Sequence, residues 1–149
     1  MAVLATPSVR RAGPEEFPLC LEIRREVFVE EQGVAWDEEL DGLDPECVQF
    51  LAFDGETVVG TARLRVTEEG LAKAERVAVR AAWRKRSVGR ALMDALEIEA
   101  AERGLDEMFL AAQIGAIPFY ERLGYRAEGP RFLEAEIVHR HMRKPLPRR

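Results

Sequence analysis

Basic and small residues stand together in the segment ERVAVRAAWRKRSVGRALM, residues 75–93. Apolar spacing after Ser87 predicts a helix over Val88–Arg103, with Ser87 as its N-cap and Gly104 as its stop. Backbone N–H groups and the positive end of the dipole make a helix start an anion site. Nearby cations strengthen it, namely Arg80, Arg84, Lys85, Arg86 and Arg90. The segment therefore predicts a site that suits a pyrophosphate.

Three further side chains have the chemistry to move a proton. Tyr120 lies in PFYERLGY, Glu75 in the strand before the basic segment, and His139 in EIVHRHM near the end. A phenol can donate a proton, whereas a carboxylate or a neutral imidazole can accept one. Each also has an ordinary structural interpretation: helix packing for Tyr120, a solvated strand carboxylate for Glu75 and a polar strand surface for His139. His141 shares the face of His139, but two histidines alone are too few for a metal site.

The elements that must position these residues alternate between strands and helices. A strand near 8–12 precedes a helix that starts at Gly13 and Pro14 and continues to about Phe28. Asp54-Gly55-Glu56 joins two apolar runs as a hairpin, and a third antiparallel strand ends at Val79. Beyond the helix after Ser87 we predict EMFLAA as a strand, AIPFYERLG as a helix, and YRAEG and EIVHRHMRK as strands. The pattern indicates an α/β (α+β) domain.

An acidic segment, EEQGVAWDEELDGLDPE at residues 30–46, follows the first helix and shows no clear periodicity. It is a candidate lid or rim of the site. Its carboxylates have two interpretations, because they can attract an ammonium substrate or can simply solubilise the surface.

Composition narrows the function classes. The chain of 149 residues is predicted to form a single domain over 1–149, and its 47% hydrophobic and 33% charged residues are typical of a globular protein. A net charge of -5 argues against nucleic acid as a partner, and no apolar run is long enough for a membrane helix. Two cysteines, Cys20 and Cys47, and the lack of a signal peptide predict a cytoplasmic protein with free thiols. The oligomeric state, including a homodimer, stays open.

The order of strand, basic small-residue loop and helix, followed by PFYERLGY, resembles the GNAT family of acetyl-CoA-dependent N-acetyltransferases. The loop pattern of that family is Gln or Arg, two residues, Gly, one residue, then Gly or Ala. Arg84, Ser87 and Gly89 occupy its marked positions, with Ser87 replacing the first glycine. The segments REVFVEEQGVAWDEELDGLD, LAAQIGAIPFYERLGYR and FLEAEIVHRHM are similar to those of small bacterial ElaA/YjcF-type acetyltransferases. The resemblance implies a mixed, mostly antiparallel sheet, splayed where acetyl-CoA enters.

The resemblance also implies roles for individual residues. The backbone of Val77, Ala78 and Val79 would face the pantetheine arm, and Tyr120 would lie beside the thioester sulfur. The pyrophosphate would be held by the loop and the start of its helix, comprising Arg84, Lys85, Arg86, Ser87, Val88, Gly89 and Arg90.

The resulting hypothesis is an enzyme that transfers acetyl from acetyl-CoA to a primary amine of a small molecule or peptide, by direct attack in a ternary complex. Such a reaction needs a base for the amine and a proton source for the departing thiolate. Tyr120 is the candidate acid, and Glu75 or His139 the candidate base. The alternative is a non-catalytic acetyl-CoA-sensing module that binds a protein partner, an alternative that Ser87 in place of the loop glycine keeps open.

Overall fold

The computed structural model describes residues 6–147, so residues 1–5 and 148–149 of the predicted domain lie outside the described part. Its centre is a sheet of seven strands in the order β1-β2-β3-β4-β5-β7-β6. All neighbouring pairs are antiparallel except β4 and β5. The strands are β1 Ser8–Arg11, β2 Val48–Asp54, β3 Thr57–Val66, β4 Ala72–Val79, β5 Glu107–Gln113, β6 Arg126–Glu134 and β7 Ile137–Pro145. The predicted mixed, mostly antiparallel sheet is confirmed.

Within residues 6–147, four α-helices flank the sheet: α1 Phe17–Arg24, α2 Trp36–Glu39, α3 Val88–Glu102 and α4 Ile117–Arg122. The apolar face of α3, including Leu92 and Leu96, is buried in the main core with inward residues of β2 to β5. Helix α1 packs on β2, β3 and β4 and continues as a π-helical segment, Arg25–Glu31. No helix within residues 6–147 is both long and apolar enough to cross a membrane.

Strands β4 and β5 separate soon after they meet. Their pairing is limited to Ala72 with Met108 and Lys73 with Phe109. Beyond that point β4 carries a bulge opposite β3, marked by a left-handed φ of 57° at Arg76. A bulge bends its strand and increases the twist. The remaining lengths of β4 and β5 therefore diverge, and the sheet opens between them as the resemblance implies.

Two predicted segments differ from the structure. YRAEG was expected to form a short strand, but β6 runs on to Glu134 and contains a register shift between Glu128 and Phe132. The acidic segment was expected to be irregular, yet it contains α2 and a 3-10 turn at Asp44–Glu46. Gly129 and Pro130 look like a turn in sequence, whereas the register shift accommodates them inside the strand.

Candidate functional site

A cavity of about 530 Å³ lies where β4 and β5 diverge. The three candidate catalytic residues, Tyr120, Glu75 and His139, line it together although they come from a helix and two different strands. Val77 also lines this cavity, whereas Ala78 is buried against Ile23 and Val27 on the α1 side of the sheet. The separated strands thus bring the predicted proton-transfer groups to one place.

Tyr120 presents a hydroxyl that makes no hydrogen bond within residues 6–147. Its ring is held edge-on by Phe119 at 4.9 Å and by Tyr125 at 5.8 Å between ring centroids. Burial raises the pKa of Tyr120 to about 12. The phenol therefore keeps its proton at neutral pH and has that proton available for a group in the cavity.

His139 is buried, and its ring orientation is fixed on one side. Its Nδ1 lies 2.7 Å from the carbonyl oxygen of Ile137, which can only accept a hydrogen bond. Nδ1 must then carry the proton in the neutral ring, so Nε2 keeps its lone pair. Nε2 lies 3.8 Å from Oε2 of Glu134, and the ring stacks on Phe132. The arrangement can accept a proton at Nε2.

Glu75 is tied to two guanidinium groups. Arg65 donates to both of its carboxylate oxygens at 2.8 and 3.1 Å, and Arg63 donates to Oε1 at 3.1 Å. Partial burial alone would raise the pKa of Glu75, but these arginines reverse the shift and lower it. A carboxylate with a lowered pKa is a weak proton acceptor at neutral pH.

Glu75 belongs to a larger set of matched charges, here called the arginine-carboxylate cluster. Four arginines face four carboxylates, and Arg24 and Arg63 are fully buried. Its members are Arg24, Arg63, Arg65, Arg76, Glu39, Asp41, Asp44 and Glu75. Three of the carboxylates, Glu39, Asp41 and Asp44, come from the acidic segment. Because arginines already neutralise them, they neither solubilise the surface nor remain available to an ammonium substrate. The segment is a fixed wall of the cavity.

The basic loop, as we call residues 84–90, includes the first turn of α3, which begins at Val88. Within the described part of the chain, the N–H groups of residues 88–90 have no hydrogen-bond acceptor. Lys85, Arg86 and Arg90 make no ion pair there either. Left-handed φ angles of 62° at Lys85 and 66° at Ser87 shape the loop. Unused donors and unpaired cations together can hold an anion.

Three details of the basic loop modify the predicted anion site. Arg84 donates to the carbonyl of Val79 at 2.9 Å and to Glu31 at 2.7 Å, so its charge is already matched. Ser87 is at the N-cap position, but its hydroxyl makes no capping hydrogen bond. A Cβ on Gly89 would lie 3.0 Å from Cζ of Phe119. The absence of a side chain at Gly89 therefore makes room for the ring of Phe119 and does not leave open space.

Sequence reasoning missed several cavity residues. Lys73, Gln113 and Glu134 line the cavity beside the predicted groups. Strand alternation from Glu75 would have indicated Lys73. The facing pair of Gln113 and His139 depends on the register of β5 and β7, which no local pattern reveals.

Comparison with known proteins agrees with this architecture. The profile of the acetyltransferase (GNAT) family matches residues 17–125. A Bacillus subtilis (strain 168) protein named uncharacterized N-acetyltransferase YjcF is 42% identical over 123 residues, which cover 82% of this chain and 87% of that protein.

Two crystal structures are also similar. An acyl-CoA N-acyltransferase from Pseudomonas aeruginosa has 31% identity and a TM-score of 0.76, covering 93% of this chain and 97% of that chain. Escherichia coli ElaA shares the fold, with 22% identity and a TM-score of 0.81, covering 93% of this chain and 99% of that chain. The chain belongs to the acetyltransferase (GNAT) family.

Proposed function

We propose that the protein is an N-acetyltransferase that moves acetyl from acetyl-CoA to a primary amine of a small molecule or peptide. The observation that carries the proposal is the Tyr120 hydroxyl, which has no hydrogen-bond partner within residues 6–147 and lines the cavity between the diverging strands. A hydroxyl with no partner in the protein is free to donate its proton to a substrate atom in that cavity.

The donor fits the region between the basic loop and this cavity. Lys85, Arg86, Arg90 and the free N–H groups at the start of α3 suit a pyrophosphate. Beyond Lys73, β4 is not paired with β5 within residues 6–147, so we expect the backbone of Val77 and the N–H of Val79 to be available to the pantetheine arm, whereas the Val79 carbonyl already accepts from Arg84. The Pseudomonas relative is described as an acyl-CoA enzyme, which supports a CoA thioester as the donor.

The reaction is a direct transfer in a ternary complex. The neutral amine nitrogen attacks the thioester carbonyl carbon, so a C–N bond forms and the C–S bond breaks. The amine proton passes to a base, and the departing thiolate takes a proton from the Tyr120 hydroxyl. The phenolate left on Tyr120 then regains a proton from the protonated base through solvent, which restores both groups. The products are an N-acetyl amide and free CoA thiol. Tyr120 contributes in the transition state, where the sulfur gains charge.

His139 is the better of the two candidate bases. Its Nε2 lone pair is available in the cavity, whereas Glu75 is neutralised by Arg63 and Arg65. We expect His139→Gln to lose activity mainly at neutral pH and to recover as pH rises and the amine deprotonates unaided. A pH-rate profile that changes for Glu75→Gln, and not for His139→Gln, would assign the base to Glu75.

The test of the proposal is Tyr120→Phe, assayed by release of CoA thiol at saturating acetyl-CoA. The ring and its packing remain, so we expect kcat to fall about 100-fold while acetyl-CoA affinity is nearly unchanged. Tyr125→Phe is the matched control, because its hydroxyl donates to Glu97 at 2.7 Å and does not line the cavity. Parental turnover in Tyr120→Phe would make Tyr120 a packing residue.

The same assay separates the enzyme from the acetyl-CoA-sensing alternative. A panel of primary amines and peptides that releases no thiol, with acetyl-CoA still bound in calorimetry, would favour a sensing module. No contact within residues 6–147 favours that alternative over the enzyme.

A further inference from the structure

A second cavity of about 850 Å³ adjoins the first. The two share Arg65, Lys73 and His141 in their linings, so they form one groove. Gln113 lines only the first cavity and Phe109 only the second, and these residues are four positions apart on β5. At about 3.3 Å per residue, that separation is about 13 Å. The groove is therefore longer than a small amine requires.

The junction of the two cavities holds an unmatched positive charge. Arg65 is matched by Glu75, and Arg76 by Glu39 and Asp41. Lys73, in contrast, makes neither an ion pair nor a side-chain hydrogen bond within residues 6–147. Its ammonium group is therefore available to an anionic ligand.

The first cavity also contains carboxylates that no arginine neutralises within residues 6–147. Glu38 lines the first cavity and makes no ion pair among the described residues. Glu134 is 3.8 Å from Nε2 of His139 and has a side chain that is 58% exposed. The groove thus offers carboxylates in the cavity of Tyr120 and His139, and an ammonium group where that cavity joins the second one.

We propose that the acceptor is an elongated amine that carries a carboxylate, with its nitrogen near Tyr120 and its carboxylate at Lys73. This inference rests on the proposed acetyl transfer, because it names the acceptor class of the same site. The length has an upper limit. Glu46, Glu68 and Glu69 line the second cavity, so a carboxylate that passes beyond Lys73 meets like charges.

Oligoglycines of increasing length test the proposal, each compared with its own C-terminal amide. The acid and the amide share the same reacting amine and differ in the terminal charge. An extended chain spans about 3.3–3.6 Å per residue, so about four residues span the separation of Gln113 from Phe109, which pairs with Lys73. At that length we expect kcat/KM to favour the acid about threefold to fivefold, as for a solvent-accessible ion pair. The preference should be small for diglycine and should decline again for hexaglycine.

Variants of Lys73 identify the charge responsible. Lys73→Met should abolish the preference for the acid, Lys73→Glu should invert it, and Lys73→Arg should keep it. Arg131→Met is the matched control, because it removes one positive charge from an exposed residue outside both cavities. Added salt should weaken the preference in the parent and leave Lys73→Met unchanged.

Two results would overturn the proposal: equal kcat/KM for acid and amide at every length, or a preference that survives in Lys73→Met. Thiol release with other amines but with no oligoglycine would overturn it as well, and would leave the acetyl transfer standing. Absence of thiol release with every amine tested would instead reject the proposed function itself.

Discussion

Two charged regions of the molecule use their charges in opposite ways. In the arginine-carboxylate cluster, four arginines and four carboxylates neutralise one another around two fully buried guanidinium groups. In the basic loop, Lys85, Arg86 and Arg90 have no ionic partner within residues 6–147, and two residues adopt left-handed backbone angles. Each region includes a run of like charges in the sequence, the acidic segment in the cluster and RKRSVGR in the basic loop.

The difference shows that charge density alone does not separate a binding surface from a structural one. A buried ion must be paired, because desolvation costs several kcal/mol per charge. An exposed cation needs no partner and remains available to a ligand. Burial and partners decide the role, and both come from the tertiary structure.

The largest expected effect comes from removing the buried centre of the cluster. Arg63→Met removes a fully buried guanidinium group that pairs with Asp41, Asp44 and Glu75, each of which keeps one other arginine. We expect the free energy of unfolding to fall by about 3–5 kcal/mol. Urea denaturation at pH 7 measures it. The matched control is Arg103→Met, which breaks a surface pair with Glu99 and should cost about 0.5 kcal/mol or less. Equal losses of unfolding free energy in Arg63→Met and Arg103→Met would show that the cluster does not stabilise the fold.

Acid should weaken the same region. Burial would raise the pKa values of Asp41, Asp44 and Glu75, but their arginine partners outweigh it and lower them. Their stabilisation is therefore complete above the unfolded pKa near 4 and is lost as pH falls through the folded values. Glu39 opposes the trend, because burial raises its pKa.

Between pH 5 and pH 2.5 we expect a net loss of about 2 kcal/mol in the parent. Arg63→Met should lose less, since its carboxylates keep one arginine each and gain less from ionisation. Urea midpoints over this pH range test the prediction, and parallel curves for the two proteins would contradict it.

Much of the fold follows from local sequence patterns. The hairpin at Gly55 and helix α3 are local in sequence, and the predicted helix end differs from the observed one by a single residue. The predicted strand YRAEG is shorter than β6, which continues through a register shift between Glu128 and Phe132. A register shift inside a strand depends on the partner strand, which the local sequence does not contain.

The site was predictable only in part, because some of its contacts also depend on segments that are distant in the sequence. Tyr120, Glu75 and His139 could each be proposed from residue type and from family resemblance. The pairing of Arg63 with Asp41 joins residues 22 positions apart, and strand alternation makes Arg63 look like a solvent-facing residue. Only the acidic segment folded over β3 and β4 reveals that this face is covered and that Glu75 is neutralised.

Substitutions in the basic loop should change the affinity for the ligand rather than the stability of the protein. Arg86→Met and Arg90→Met should each weaken acetyl-CoA binding about fivefold to tenfold, because each removes an unpaired cation near the proposed pyrophosphate. Arg84→Met should weaken it less than about twofold, since its guanidinium donates to Val79 and Glu31 and is not available to the ligand. Calorimetry measures the affinities. A dominant loss in Arg84→Met would show that the ligand displaces those two contacts.

The smallest expected effect is a gain, at the position where this loop departs from the family pattern. Ser87 has φ 66° and ψ 10°, and its side chain makes no capping hydrogen bond that would compensate the strain. Glycine adopts this conformation without a Cβ clash, although it also adds freedom to the unfolded chain.

We therefore expect Ser87→Gly to stabilise the protein by about 0.5–1 kcal/mol, with acetyl-CoA affinity retained because the backbone donors of the loop keep their places. Ser8→Gly, at an exposed serine in β1, is the matched control and should destabilise by roughly 0.5 kcal/mol, since that residue is extended and gains nothing from glycine. Thermal and urea unfolding compare the two. A loss of stability in Ser87→Gly would mean that the backbone of Ser87 is not strained, and that serine replaces the glycine of the family pattern without destabilising the loop.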